Sequence, residues 1–89
     1  MAKLLKSDGT ILDVTPEKGR LSLDEMQKFV GGYIEHVDLD KGRHLIVNEE
    51  GKVNGLPGNR LATDEWCKMY GPTDFICGDA LILEPNEFS

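Results

Sequence analysis

The sequence predicts an α+β domain: a small, mostly antiparallel sheet with two short helices, in the order β-β-α-β-β-loop-α-β. Three observations carry that prediction. One stretch, Leu21–Gly32, combines a helix start, a helical apolar spacing and a helix stop. The other apolar residues fall in short runs, several of them rich in β-branched and aromatic types, bounded by turn pairs. Finally, 89 residues with no internal repeat and no low-complexity run fit a single domain, residues 1–89, with a modest core.

Taken in order, "KLLKSDGTILDV" places two short apolar segments around Asp8-Gly9. That pair suits a two-residue type I′ turn, where both central positions need positive φ, and a hairpin of roughly Lys3–Lys6 with Thr10–Val14 follows. Pro16 and Gly19 in "TPEKGR" then break the pattern. In "LSLDEMQKFVGG", Ser22 is an N-cap, Glu25 completes a capping box, and Leu21 with Met26 makes a hydrophobic staple. Leu23, Met26 and Val30, with Phe29 beside them, form an apolar face, and Gly31 supplies the left-handed stop.

"YIEHVDL" and "RHLIVN" read as a second hairpin across "DKG". Tyr33, Glu35, Val37 and Leu39 share one face of the first strand. On the second, Arg43, Leu45 and Val47 share one face, and His44 and Ile46 the other. The alternation does not say which face is buried. A turn at Glu50-Gly51 leads into "NGLPGNR", where Pro57 forbids a central strand and Asn54-Gly55 and Gly58-Asn59 are turn pairs. Thr63 reads as a second N-cap, with Asp64 and Glu65 in the first turn of a short helix, "DEWCKMY", that Gly71-Pro72 ends. "DFICGDALIL" is a final strand, interrupted at Gly78-Asp79 by a bulge or a close backbone approach, and "EPNEFS" is a polar tail.

Net charge is −6, which argues against nonspecific binding to nucleic acid or to an acidic membrane. No apolar run nears the length of a membrane span, and the "LL" near the N-terminus is too short for a secretory signal. A cytoplasmic protein with Cys67 and Cys77 as reduced thiols is therefore expected. The charge is unevenly spread. Residues 41–60 carry Lys41, Arg43, Lys52 and Arg60 against Glu49 and Glu50, a net +2, whereas 1–40 carry −3 and 61–89 carry −5.

Chemistry-bearing patterns are sparse. Nothing in the spacing ties Cys67 or Cys77 to His36 or His44 as nucleophile and base, so no catalytic residue is assigned and no enzyme is expected. The two histidines can face each other across the second hairpin if the register sum is even. Even so, the spacings of 8, 23 and 10 among His36, His44, Cys67 and Cys77 lack the close pairs of a structural zinc site, so no metal and no cofactor is assigned. Glu49-Glu50 reads as a solvated turn. Neither phosphate-binding glycine motif is present. Gly51, Gly55 and Gly58, with Lys52 and Arg60 interleaved, can still offer amides and cations to an anion ahead of a helix N-terminus. An ordinary turn-rich connection is the competing reading. The acids are too scattered for a nucleic-acid mimic.

"LSLDEMQKFVGGYIEHV", "IVNEEGKVNGLPGNRLAT" and "FICGDALIL" together resemble the domain-of-unknown-function family numbered 3846, over roughly Lys3 to Leu83. The matching residues include Ser22, Leu23, Gly31 to Glu35, Asn48 to Lys52, Gly55, Leu56, Pro57, Asn59, Ala62, Thr63, Gly78 and Asp79. Gly58 stands before Asn59 where a second proline is common in the family. The resemblance implies a phage, plasmid or gut-bacterial setting and no established enzymatic activity. Small proteins of that setting often counter host defence, by sequestering a nucleotide-type signal or by binding a defence protein.

The expectation is thus a non-enzymatic binding protein with its site around Asn48–Thr63. Tyr33, Glu35, Asn48, Lys52, Gly55, Leu56, Pro57, Asn59, Arg60, Thr63 and Asp79 are its candidate residues. A small phosphorylated molecule is the expected ligand, and homo-oligomerisation a means of enclosing it. The alternative is an interaction module that inhibits or adapts a larger host or phage protein.

Overall fold

The computed structural model describes residues 2–16 and 18–87. Met1, Glu17 within the "TPEKGR" break and the last two residues of the polar tail lie outside the described residues. Five strands, β1 (Ala2–Leu5), β2 (Ile11–Val14), β3 (Ile34–Asp38), β4 (His44–Asn48) and β5 (Ala80–Leu83), and two helices, α1 (Leu23–Val30) and α2 (Arg60–Tyr70), appear in the predicted order. The strands form one sheet in the order β2-β1-β5-β4-β3, with every pairing antiparallel. The last strand is therefore the central one, and it joins the two hairpins.

The first hairpin departs from the two-residue turn. Leu5 pairs with Ile11, Lys6 N–H donates to the Thr10 carbonyl, and Gly9 N–H closes a turn on Lys6. Gly9 alone of the Asp8-Gly9 pair has positive φ. The Asp8 carboxylate accepts from Thr10 N–H, a local bond that holds it as the turn residue before a left-handed glycine. The second hairpin turns through a short 3₁₀ segment, Asp40–Gly42, in which Lys41 is left-handed.

α1 has the predicted ends. The Ser22 hydroxyl accepts from Glu25 N–H, the Glu25 carboxylate accepts from Ser22 N–H, and Gly31 is left-handed at φ 81°. Leu21 and Met26 are both fully buried, as a staple requires. Leu23, read as part of the apolar face, is instead exposed, because only Met26, Val30 and the half-buried Phe29 reach the sheet.

α2 begins four residues before the sequence reading allows. Asn59, not Thr63, is its N-cap: the Asn59 side chain accepts from Ala62 N–H, and Thr63 lies one turn inside. Asn59, extended at φ −114°, starts the helix before Thr63 can because its side-chain oxygen accepts from Ala62 N–H and its backbone carbonyl from Thr63 N–H.

The helices cover opposite faces. Ala2, Leu4, Ile46, Leu81 and Leu83 pack with Leu21, Met26 and Val30 of the α1 side. Leu5, Val37, Leu45, Val47, Ala80 and Ile82 pack with Ala62, Leu61 and Trp66 of the α2 side. This explains the imperfect alternation of "RHLIVN": β4 and β5 are buried on both faces, so both sets of side chains are apolar. No helix among the described residues is long and apolar enough to cross a membrane.

Candidate functional site

The Asn48–Thr63 segment is ordered by its own hydrogen bonds. Gly51 N–H donates to Asn48, Asn54 N–H to Glu50, Gly55 N–H to Lys52 and Leu56 N–H to Gly51, which consumes four of the amides that an anion-binding nest would present. Asn48 is the last residue of β4 and is buried. Its side-chain N–H donates to the Val30 carbonyl at the end of α1, and its oxygen accepts from Glu50 N–H. A methyl group on Gly32 would sit 3.0 Å from that amide, so "VGG" and the asparagine of "NEEG" are mutually fitted. Tyr33 is exposed and its carbonyl accepts from Glu49 N–H.

Farther along, Gly51 touches the backbone of Cys77 in the segment that leads into β5. A Cβ there would lie 2.5 Å from the Cys77 carbonyl oxygen, which only glycine avoids. Gly78, at φ 87°, receives the Leu56 side chain, and its N–H donates to the Pro57 carbonyl. The close approach expected at Gly78-Asp79 is present as this contact, with a single bridge pairing Gly58 and Cys77. Asn59 is buried and donates to the carbonyls of Leu5 and Gly78, both at 2.8 Å, while capping α2. The Thr63 hydroxyl accepts from Ile76 N–H, and Asp79 accepts from Ser7 N–H at the tip of the first hairpin.

The two cations of the stretch do not converge on an anion. Lys52 Nζ pairs with Asp74 and lies 4.5 Å from the Phe75 ring centre. Lys52, followed by the Phe75 N–H, holds the Asp74 carboxyl below the usual range. Arg60 is the exposed first residue of α2, and Gly55 is an exposed left-handed turn residue.

Two clefts flank the segment. The larger, about 360 Å³, lies on the α1 side. Leu56, Pro57, Gly78 and Asp79 form one wall, and Lys28, Phe29 and Gly31 at the end of α1 form the other. The smaller, about 140 Å³, lies on the α2 side, with Glu35, Asn48 and Lys52 beside Trp66, Asp74 and Phe75. Leu56, Pro57 and Asp79 are thus brought together in one cleft and Glu35, Asn48 and Lys52 in the other. Tyr33, Gly55, Asn59, Arg60 and Thr63 line neither. Sequence reasoning missed Lys28 and Phe29, which carry no local signal beyond helix periodicity and reach the cleft only through the packing of α1.

The motifs "VGGYIE", "NEEGK", "GLPGN" and "GD" therefore sit in contact, each fitted to another. This chain belongs to the DUF3846 family. The family model, a domain of unknown function, matches residues 4–88. No curated protein and no solved structure matches the chain. In DUF3846 terms, the residues that carry the match here are in large part those that latch α1, the loop and the last strand together, and the larger cleft opens between the latched parts.

Proposed function

We propose that the protein is a non-enzymatic binding protein that takes a nucleotide-type ligand in the cleft between the end of α1 and the Leu56–Pro57 segment. The observation that carries this reading is the convergence of Leu56, Pro57, Gly78 and Asp79 on one cleft of about 360 Å³, within the size range of small-molecule sites. The chemistry of its walls sets the ligand class. Asp79 and the carbonyls at the α1 C-terminus accept hydrogen bonds, Phe29, Leu56 and Pro57 offer flat apolar surface, and Lys28 is the one cation on the lining. A base with exocyclic amine donors, carrying a phosphate toward Lys28, matches that arrangement. Lys52 and Arg60, the cations expected from the sequence, are not on this cleft. Sequestration of a nucleotide signal in an anti-defence role, in a host cytoplasm, extends the same reading from the family's setting. A homo-oligomer would let two clefts enclose one ligand.

Calorimetric and thermal-shift titration with cyclic dinucleotides and ADP-ribose derivatives tests it. At least one should bind and raise the melting temperature, Lys28→Glu should weaken it about tenfold, and the ligand should be recovered intact after denaturation. No stabilisation by any of them at millimolar concentration, or equal binding by Lys28→Glu, rejects the reading.

A second reading, an interaction module for a larger host or phage protein, is favoured by β2. This edge strand leaves Ile11 and Leu12 exposed beside an unpaired backbone edge, which a partner's extended strand can extend. A stoichiometric protein captured by the wild type and lost with Ile11→Pro, which removes an N–H facing the free edge, distinguishes it.

A further inference from the structure

The second hairpin brings three metal-binding side chains to one point. Asp38 pairs with His44 and His36 with Ile46, so the register sum is even. Side chains two apart on a strand share a face, and directly opposed or diagonal residues across a pair lie within reach. His36, Asp38 and His44 therefore emerge together, on the face opposite Arg43. The guanidinium of Arg43 is drawn to Asp40 and Glu65 instead.

Three donor atoms lie within 4.8 Å of one another, close enough to share one cation. His36 Nε2 lies 2.7 Å from His44 Nδ1 and 3.3 Å from Asp38 Oδ1, and His44 Nδ1 lies 3.9 Å from the same oxygen. The circle through those three atoms has a radius of about 2.0 Å, so one cation in or just above their plane meets all three at roughly the 2.0–2.1 Å of zinc–imidazole and zinc–carboxylate bonds. Two imidazole nitrogens and one carboxylate oxygen form a donor set suited to late first-row divalent ions. The three side chains range from 17% to 76% exposed, so an ion can enter from solvent and the remaining coordination positions stay accessible.

We propose that His36, Asp38 and His44 bind a divalent transition cation of the zinc type, with at least one coordination position left for water or an external ligand. Bound there, the ion clamps the edge strand β3 to β4. The site stands apart from the α1 cleft and does not depend on it.

The test uses the full chain, stripped with a chelator and titrated with zinc by calorimetry and with cobalt by visible absorption. One ion per chain should bind with micromolar or tighter affinity and raise the melting temperature. His36→Ala should weaken binding at least tenfold, as should His44→Ala, and Asp38→Asn should weaken it several-fold. A Cys67→Ala/Cys77→Ala variant should retain both the affinity and a cobalt spectrum without sulfur charge-transfer bands. His36 and Asp38 lie on the exposed face of an edge strand, so their variants keep the test valid if His44→Ala fails to fold. No saturable binding at millimolar zinc, binding unchanged in His36→Ala, or sulfur charge-transfer bands would each overturn the proposal.

Discussion

Asn59 shows how much one buried side chain can hold. Its oxygen accepts from Ala62 N–H at the start of α2, and its amide donates to the carbonyls of Leu5 in β1 and Gly78 ahead of β5. Removing it takes away a helix cap and leaves two buried carbonyls without that donor. Asn59→Ala should cost about 3–7 kcal/mol, from a cap near 1 and unsatisfied acceptors of 1–3 each. Asn59→Asp separates the two roles. A carboxylate still caps the helix but cannot donate, and it faces two carbonyls. Urea denaturation should therefore find Asn59→Asp no more stable than Asn59→Ala. Rescue by aspartate would mean that capping alone explains the residue.

At the scale of the element, α1 is short and depends on its ends. The Glu25 carboxyl sits below its usual range because Ser22 N–H, and then the Ser22 hydroxyl, donate to it. Asp13, beside Lys3, and Asp40, beside Arg43, are lowered in the same way. A carboxyl depressed in the folded state stabilises fully above its unfolded pKa, and that contribution is lost as pH falls through the folded value. The melting temperature should therefore be flat above about pH 5 and decline below about pH 4. Glu25→Gln keeps a hydrogen-bond acceptor at the cap without the charge, so its decline should be shallower. Circular dichroism melts from pH 6 to pH 2 measure this, and identical acid limbs would remove Glu25 as a contributor.

The whole molecule is two half-cores separated by one sheet. Leu45 and Ile46 are adjacent in sequence, both fully buried, and belong to opposite faces. Leu45→Ala and Ile46→Ala should each cost about 2–5 kcal/mol by guanidinium unfolding. A sheet with one solvated face would tolerate one of the two, and tolerance of either would contradict the two-sided core. The same layout makes β5 decisive. It is the fifth strand in chain order among the described residues and the middle strand of the sheet, paired with β1 on one side and β4 on the other. Without it the two hairpins share no ladder and neither face of the sheet is continuous.

Local chemistry was legible wherever a few neighbouring residues determine the outcome. Ser22, Glu25 and Gly31 announced α1 because caps and left-handed stops are short-range. The order of the elements followed from turn pairs and apolar runs in the same way. The helix start at Asn59 was missed because both Asn59 and Thr63 are good caps, and long-range bonds to Leu5 and Gly78 chose between them. The cleft was half legible: Leu56, Pro57 and Asp79 stood out, but Lys28 and Phe29 join them only because α1 packs on the sheet. The hairpin histidines carried an even-register condition that spacing left open, and the pairing of Asp38 with His44 met it. By itself, then, the sequence determined the elements, their order and both ends of α1, since these rest on φ/ψ preference and hydrogen bonds within a few residues. Only the tertiary structure decided the central place of β5, the helix on each face, the latching of the loop glycines and the meeting of His36, Asp38 and His44, because each depends on which distant backbones pair and in what register.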